Sequence, residues 1–271
     1  MPSFPSIRRF TIGPVVVDTI DRRRLRETVD SSLREGTSFT CAYVNAHVFG
    51  LLHRDAALAA TMRGFDVVFC DGVGAALGLR ALGAEVPERM TPPDFVDELV
   101  EAAAATGAGA YLLGDEASVV ERASVAMNRV HPGAIVGHHH GFFSDDESSG
   151  VLERIRRSGA RLVLVGMGTP RQERLIEAAR ERLPGLVWLA VGGLFRWTSG
   201  AERRGPRWLT DHGFEWLTRL VSQPRRVARR YLLGLPRFAL HVVGLRLRGL
   251  RAVEVRGAAV PARVPSEGRD D

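Results

Sequence analysis

Residues 66–80 read DVVFCDGVGAALGLR, and the order of these residue types decides the fold. Val67, Val68, Phe69 and Cys70 make an apolar run of strand length. Asp71 and Gly72 interrupt it, and Val73 to Leu82 continue in a helical pattern. A short buried run bounded by turn residues and followed by a helix is the repeating unit of a parallel sheet. Its junction carries a carboxylate, and open α/β sheets bind ligands at such junctions. Asp71 therefore has two readings: an N-cap of the helix that follows, or a reactive group at the sheet edge.

The same alternation extends outward from residue 39 to 195. Strands are expected at 39–44 (FTCAYV), 66–70, 110–114 (AYLLG), 134–137 (AIVG), 161–166 (RLVLVG) and 186–192 (LVWLAVG). Helical patterns fall near 48–62, 73–83, 93–106, 116–130, 149–158 and 170–182. Strands spaced by helices imply an α/β fold, a Rossmann-like parallel sheet with crossover helices, contained in residues 1–200. Most of the strands end in glycine or a small polar group: Asn45, Asp71-Gly72, Gly114-Asp115, Gly137, Gly166 and Gly192-Gly193. Glycine at those ends is expected to let a ligand approach the backbone closely.

After residue 200 the pattern changes. Residues 203–251 carry twelve arginines against two acids, Asp211 and Glu215, and prolines at 224 and 236 break the helical runs. Phe238, Leu240, Val242, Val243, Leu245, Leu247 and Leu250 interleave with Arg237, Arg246, Arg248 and Arg251. Residues 201–255 are expected to form a helical, membrane-associating appendage that seats its apolar side chains in an anionic bilayer surface. The competing reading is a last helix packed on the domain with a solvated basic face. Residues 256–271 are expected to be a disordered tail.

The 271 residues suit one large domain with an appendage, and 45% apolar residues are ordinary for a globular chain. Net charge is +6, with arginine as the sole basic residue besides histidine. Such a patch attracts phosphates: nucleic acid, lipid headgroups or a diphosphate substrate. Cys41 and Cys70 lie in apolar runs and read as buried thiols, so a reducing, cytoplasmic compartment is expected. The start, MPSFPSIRRFTIG, has no apolar core of a secretory signal, and no run approaches the ~18 apolar residues a spanning helix needs.

GMGTPRQERLIEAAR (166–180) follows a strand and opens a helix. Thr169, Pro170 and Gln172 fit a capping box. Gly166 and Gly168 beside a helix N-terminus equally suit an anion site. The chain has no lysine, which excludes a Walker P-loop, and Arg171 stands where a dinucleotide fingerprint needs its third glycine. A nucleotide-dependent oxidoreductase is accordingly disfavoured. His138, His139 and His140 are consecutive and diverge, which disfavours a shared metal. There is no D-x-D to hold a divalent ion on a sugar nucleotide, so neither metal nor cofactor is expected.

The blocks VNAHV, CDGVG, YLLGDEASVVERA, IVGHHHGFF, LVGMGTPRQE, VGGLFRWTSGAERRGPRW and GFEWLTRLVSQPRRVARRY, in that order, resemble the WecG/TagA/CpsF glycosyltransferases (glycosyltransferase family 26). The resemblance spans about residues 10–235, and its G-x-G-x-P-x-Q-E and E-W-x-x-R-L-x-x-x-P-x-R-x-x-R-Y blocks are the most specific. It implies inverting transfer of a sugar from a UDP-sugar donor to a polyprenyl-diphosphate-linked sugar acceptor, for a cell-surface polysaccharide such as wall teichoic acid or exopolysaccharide. The sugar, of the N-acetylmannosamine type or another hexose or uronic acid, is not specified. The resemblance also implies a peripheral position on the inner face of the cell membrane and leaves self-association as a homo-oligomer open.

By the same resemblance Asp71 matches the family's proposed base. Asn45 and Gln172 match positions that line the sugar-nucleotide pocket, and Gly166, Gly168 and Glu173 belong to the same block. Arg89 matches a position near the site, and Arg219, Arg226 and Arg229 would close over the diphosphate. Several residues depart from the family pattern. A polar residue is common near Tyr43 and Val44, Pro92 replaces a glycine, Arg196 replaces a common aspartate, and RAP reads RGP at 204–206. These departures bear on which sugar is bound. A basic nucleic-acid binder, with Trp197, Trp208 and Trp216 stacking on bases, is the rival class. Arginines set among apolar side chains suit a membrane surface better, so no nucleic-acid partner is expected.

Overall fold

The computed structural model describes residues 7–88, 90–202, 205, 232 and 234–255. Arg89, Arg219, Arg226, Arg229, Trp208, Trp216 and the tail 256–271 lie outside the described residues.

The chain starts with a hairpin that has little local signal. Strands β1 (Arg9–Ile12) and β2 (Val15–Asp18) pair antiparallel across Gly13, whose φ of +58° suits glycine. Asp18 is buried and takes two hydrogen bonds from the Arg9 guanidinium, both at 2.8 Å. It also accepts from Val68 N at 2.6 Å, which locks the hairpin to the main sheet.

Helix α1 (Arg22–Glu35) leads to six strands: β3 (Phe39–Val44), β4 (Val67–Cys70), β5 (Ala110–Gly114), β6 (Ile135–His139), β7 (Leu162–Gly166) and β8 (Val187–Ala190). They form one sheet in the order β4-β3-β8-β7-β5-β6, and every neighbouring pair is parallel. This is the expected Rossmann-like α/β fold. Five of the strands are buried at every residue, as a parallel sheet covered by helices requires. The edge strand β6 instead alternates, with Val136 and His138 outward.

Asp55 caps Leu58 N at 2.9 Å and divides the expected 48–62 helix into α2 (Ala46–Leu52) and α3 (Ala56–Arg63). Helix α4 (Val73–Ala81) follows β4. The remaining helices are α5 (Val96–Ala105), α6 (Ala117–Val130), α7 (Ser148–Ser158), α8 (Arg171–Arg180) and α9 (Leu194–Thr198). In the flanking layers α1 packs on α5, α3 on α8, and α6 on α9. β5 is followed in the chain by β6 on one side, and β7 by β8 on the other, so the connections diverge between these adjacent strands. Such a reversal opens a crevice at the carboxyl ends of the strands.

The far end of the 201–255 segment packs into the same core as the sheet. Helix α10 (Gly234–Leu247) lies on α2 and α4 and buries Phe238, Val242 and Leu245. A Cβ on Gly78 of α4 would stand 2.4 Å from the Phe238 ring, so glycine makes the hollow this ring fills. Ala252 N then donates to Leu82 O at 2.8 Å, and β9 (Val253–Val255) pairs antiparallel with β1. Among the described residues no helix is long and apolar enough to cross a membrane.

Candidate active site

The register of β3 on β4 pairs Val44 with Cys70, and this sets Asn45 beside Asp71 just past the strand ends. Asp71 N donates to Val44 O at 2.9 Å, and the Asp71 backbone also bridges Met90, the residue after Arg89. Helix α4 has Gly72 as its N-cap residue, at φ +89° and with no side-chain cap. Asp71 is therefore not the cap that its position suggests. Asn45 is a cap: its Oδ1 accepts from His47 N at 3.1 Å and Val48 N at 3.0 Å, while its Nδ2 donates to Asp71 Oδ2 at 3.2 Å. No described residue lies within 4 Å of where a Gly72 Cβ would be, so among the described residues the Asp71 backbone is open on this side. Burial and the neighbouring Asp71 charge raise the Cys70 thiol far above its ordinary range, which keeps it neutral beside the carboxylate.

The GMG block divides by role. A Cβ on Gly166 would meet Gly192 O and the Phe195 ring at 2.8 Å, so Gly166 is needed by the protein's own packing. Gly114 and Gly192 are constrained likewise, by Gly166 O at 2.3 Å and the Tyr43 hydroxyl at 2.5 Å. These glycines let strand ends approach one another. Gly168, at φ +76°, and Gly193 have no described residue within 4 Å of a Cβ position.

The expected capping box at the start of α8 does not form. The helix begins at Arg171 behind Pro170, and the Thr169 hydroxyl donates to Glu173 Oε1 at 2.9 Å. Gln172 and Glu173 are both wholly buried. Gln172 Nε2 donates to Glu173 Oε1 at 2.8 Å and to the Tyr43 hydroxyl at 3.3 Å, and Gln172 Oε1 accepts from Gly192 N at 3.2 Å. Burial pushes the Glu173 carboxyl above its ordinary value, against the lowering effect of the hydrogen bonds it accepts. Among the described residues its Oε2 has no hydrogen-bond partner.

Between β5 and β7, Asp115 takes φ +53°, uncommon for a residue with a side chain. Arg196 contacts it at 3.0 Å and Glu116 at 2.8 Å. With Glu202 at 3.7 Å as well, Arg196 faces three acids at the crevice.

The structure brings Asp71 together with Asn45, and Gln172 together with Glu173, Gly166 and Gly192. Tyr43, which the sequence marks only as a departure, accepts a hydrogen bond from Gln172 and stands two residues before Asn45. Its position two residues before Asn45, on the same strand face, is the signal that would have found it. Among the described residues no three His, Cys, Asp or Glu groups are arranged to hold a metal.

The sequence model of the glycosyl transferase WecG/TagA/CpsF family matches residues 10–252, nearly all of the described chain. The parallel sheet, the carboxylate at the end of β4 and the 166–173 block all fall inside the match. The chain therefore belongs to the glycosyl transferase WecG/TagA/CpsF family, glycosyltransferases of cell-surface polysaccharide biosynthesis that take a nucleotide-sugar donor and a lipid-linked acceptor.

Proposed function

We propose that the protein transfers a sugar, with inversion, from a UDP-sugar to a sugar carried on a polyprenyl diphosphate, and that Asp71 is the general base. The observation that carries this reading is the Asn45–Asp71 hydrogen bond beside the open edge at Gly72. Asp71 takes the proton of the acceptor hydroxyl as its oxygen attacks the anomeric carbon. The bond from that carbon to the UDP oxygen breaks, and its electron pair leaves with the diphosphate.

Charge on the leaving group calls for cations. Arg89, Arg219, Arg226 and Arg229 are assigned this role on the family resemblance. Two features of the described residues support the assignment. Met90, next to Arg89, pairs with Asp71, and Leu235 at the start of α10 approaches within 3.6 Å of a Cβ position on Gly74, three residues from Asp71. The residue after Arg89 and the chain just after the 219–229 segment therefore both lie near Asp71.

The acceptor's lipid calls for a membrane surface, and α10 suits one. Leu240, Val243 and Leu247 are exposed on the side opposite its buried stripe, with Arg237, Arg246 and Arg248 on the flanks. Apolar residues bordered by arginines are what an interfacial helix presents to anionic lipid.

The deciding experiment is Asp71→Asn assayed with a UDP-sugar panel and a short-chain lipid-linked acceptor. Transfer should fall by about 10²–10⁴ while UDP binding persists, since a general base contributes that much to rate. Near-normal turnover by a correctly folded variant would show that the base lies elsewhere.

A further inference from the structure

Tyr43 stands two residues before Asn45 on β3, and Phe69 stands two residues before Asp71 on β4. The strand register pairs Tyr43 with Phe69, so Tyr43, Asn45, Phe69 and Asp71 share one face of the sheet. The two rings lie 5.9 Å apart, and Phe69 is backed edge-on by Phe95 at 5.5 Å. Tyr43 is thus a buried post under the Asn45–Asp71 pair.

The far end of that post is held by Gln172. Its amide nitrogen reaches the Tyr43 hydroxyl and Glu173 Oε1, while its oxygen takes Gly192 N–H. Turning the amide over would set NH₂ against the Gly192 donor and oxygen against the Glu173 carboxyl. Glu173 therefore fixes the amide's orientation, helped by the Thr169 hydroxyl on the same carboxylate oxygen. The network ties the ends of β3, β7 and β8 together, away from water where each hydrogen bond is strongest. Gln172 is wholly buried and both ends of its amide are engaged by protein, which leaves it nothing to offer a ligand in this arrangement.

We propose that Tyr43 and Gln172 are positioning residues: Gln172 holds Tyr43, and Tyr43 supports the Asn45–Asp71 pair, so that Gln172 serves transfer without touching the donor. The proposal rests on reading Asp71 as the base. It gives Gln172 and Glu173 of the 166–173 block a role inside the fold, and it makes Tyr43 a residue on which turnover depends.

The test is a double-mutant cycle on the full chain, with kcat and KM measured separately. Tyr43→Phe and Gln172→Met should each lower kcat by roughly tenfold, the scale of one hydrogen bond's misplacement at a reacting group, with donor KM changed by less than about twofold. The double variant should be no slower than the slower single, because one connection is being cut twice. Glu173→Gln, which retains an acceptor oxygen, should keep kcat, and Glu173→Met should lose it as Gln172→Met does.

Wild-type kcat in Tyr43→Phe, additive losses in the cycle, or a raised donor KM with kcat unchanged in Gln172→Met would each overturn the proposal. The last result would mark a direct donor contact. If Gln172→Met does not fold, Tyr43→Phe beside the two Glu173 variants decides, since Tyr43→Phe removes a single oxygen. An active Asp71→Asn would instead remove the base reading, and the cycle would still decide whether Tyr43 and Gln172 act as one unit.

Discussion

The Asn45 side chain caps α2 with its oxygen and holds Asp71 with its nitrogen, so one amide joins helix geometry to the carboxylate. The two roles separate by substitution. Asn45→Ala loses both and should cost about 1 kcal/mol of stability, the usual value of an N-cap, along with transfer activity. Asn45→Asp keeps an acceptor for the cap but sets a second negative charge beside Asp71. A like charge favours the protonated form of its neighbour, so the acid limb of the kcat/KM profile should move to higher pH. An unmoved limb in a folded Asn45→Asp variant would mean that Asp71 does not set that limb.

Glu173 makes a separate prediction about stability. Burial raises its carboxyl in the folded state, so the fold binds the proton more tightly than the unfolded chain does. Stability from this group is then present below the unfolded value of about 4.3 and falls as pH rises through the folded one. Glu173→Gln copies the neutral form. The variant's melting temperature relative to wild type should therefore climb from pH 4.5 upward. Thermal melts across pH 4 to 8 measure it, and a difference that stays flat with pH rejects the account.

The sheet was legible because its strands are spelled out in continuous apolar runs; 39–44 and 110–114 appear at their expected bounds. The Arg9–Asp18 hairpin and Val253–Val255 were not, because strands this short are fixed by partners distant in the chain. β1 with β9 spans more than two hundred residues, and Arg9–Asp18–Val68 is a contact no local window contains. The carboxylate at residue 71 was legible as a strand-end feature. Its relation to Asn45 needed the register of β3 on β4. The inward turn of Gln172 and Glu173 ran against their polarity, which suits a helix surface. Their burial is explained by hydrogen bonds: Gln172 donates to the Tyr43 hydroxyl and to Glu173 and accepts from Gly192 N, and Glu173 accepts from Thr169.

Arg196 offers a test of the departure from the family pattern. Its guanidinium holds Asp115 and Glu116, and Asp115 is nearly buried. Arg196→Ala leaves Asp115 without its cation and should cost about 1–3 kcal/mol in urea unfolding. Arg196→Asp, the residue the resemblance makes common here, adds a fourth acid to Asp115, Glu116 and Glu202. It should be less stable than the alanine variant, with the gap narrowing as salt screens the repulsion. An aspartate variant as stable as wild type would show that these acids do not depend on Arg196.

The last prediction separates the two faces of α10. Phe238 sits edge-on to Phe49 at 5.1 Å and fills the hollow over Gly78, so Phe238→Ala should destabilise the fold by about 3 kcal/mol. Leu240 and Leu247, on the opposite face, are 72% and 83% exposed. Replacing both with glutamate removes no buried contact and should leave stability within about 0.5 kcal/mol per site. It also takes two apolar side chains from the stripe proposed to face lipid and adds two negative charges, each worth about 1 kcal/mol against an anionic surface. Sedimentation with vesicles containing anionic phospholipid should therefore drop more than tenfold, while neutral vesicles show weak binding for both proteins. If the double glutamate variant binds anionic vesicles like wild type, α10 is a packing helix whose outer face meets only water, and the acceptor's lipid must be met by another surface.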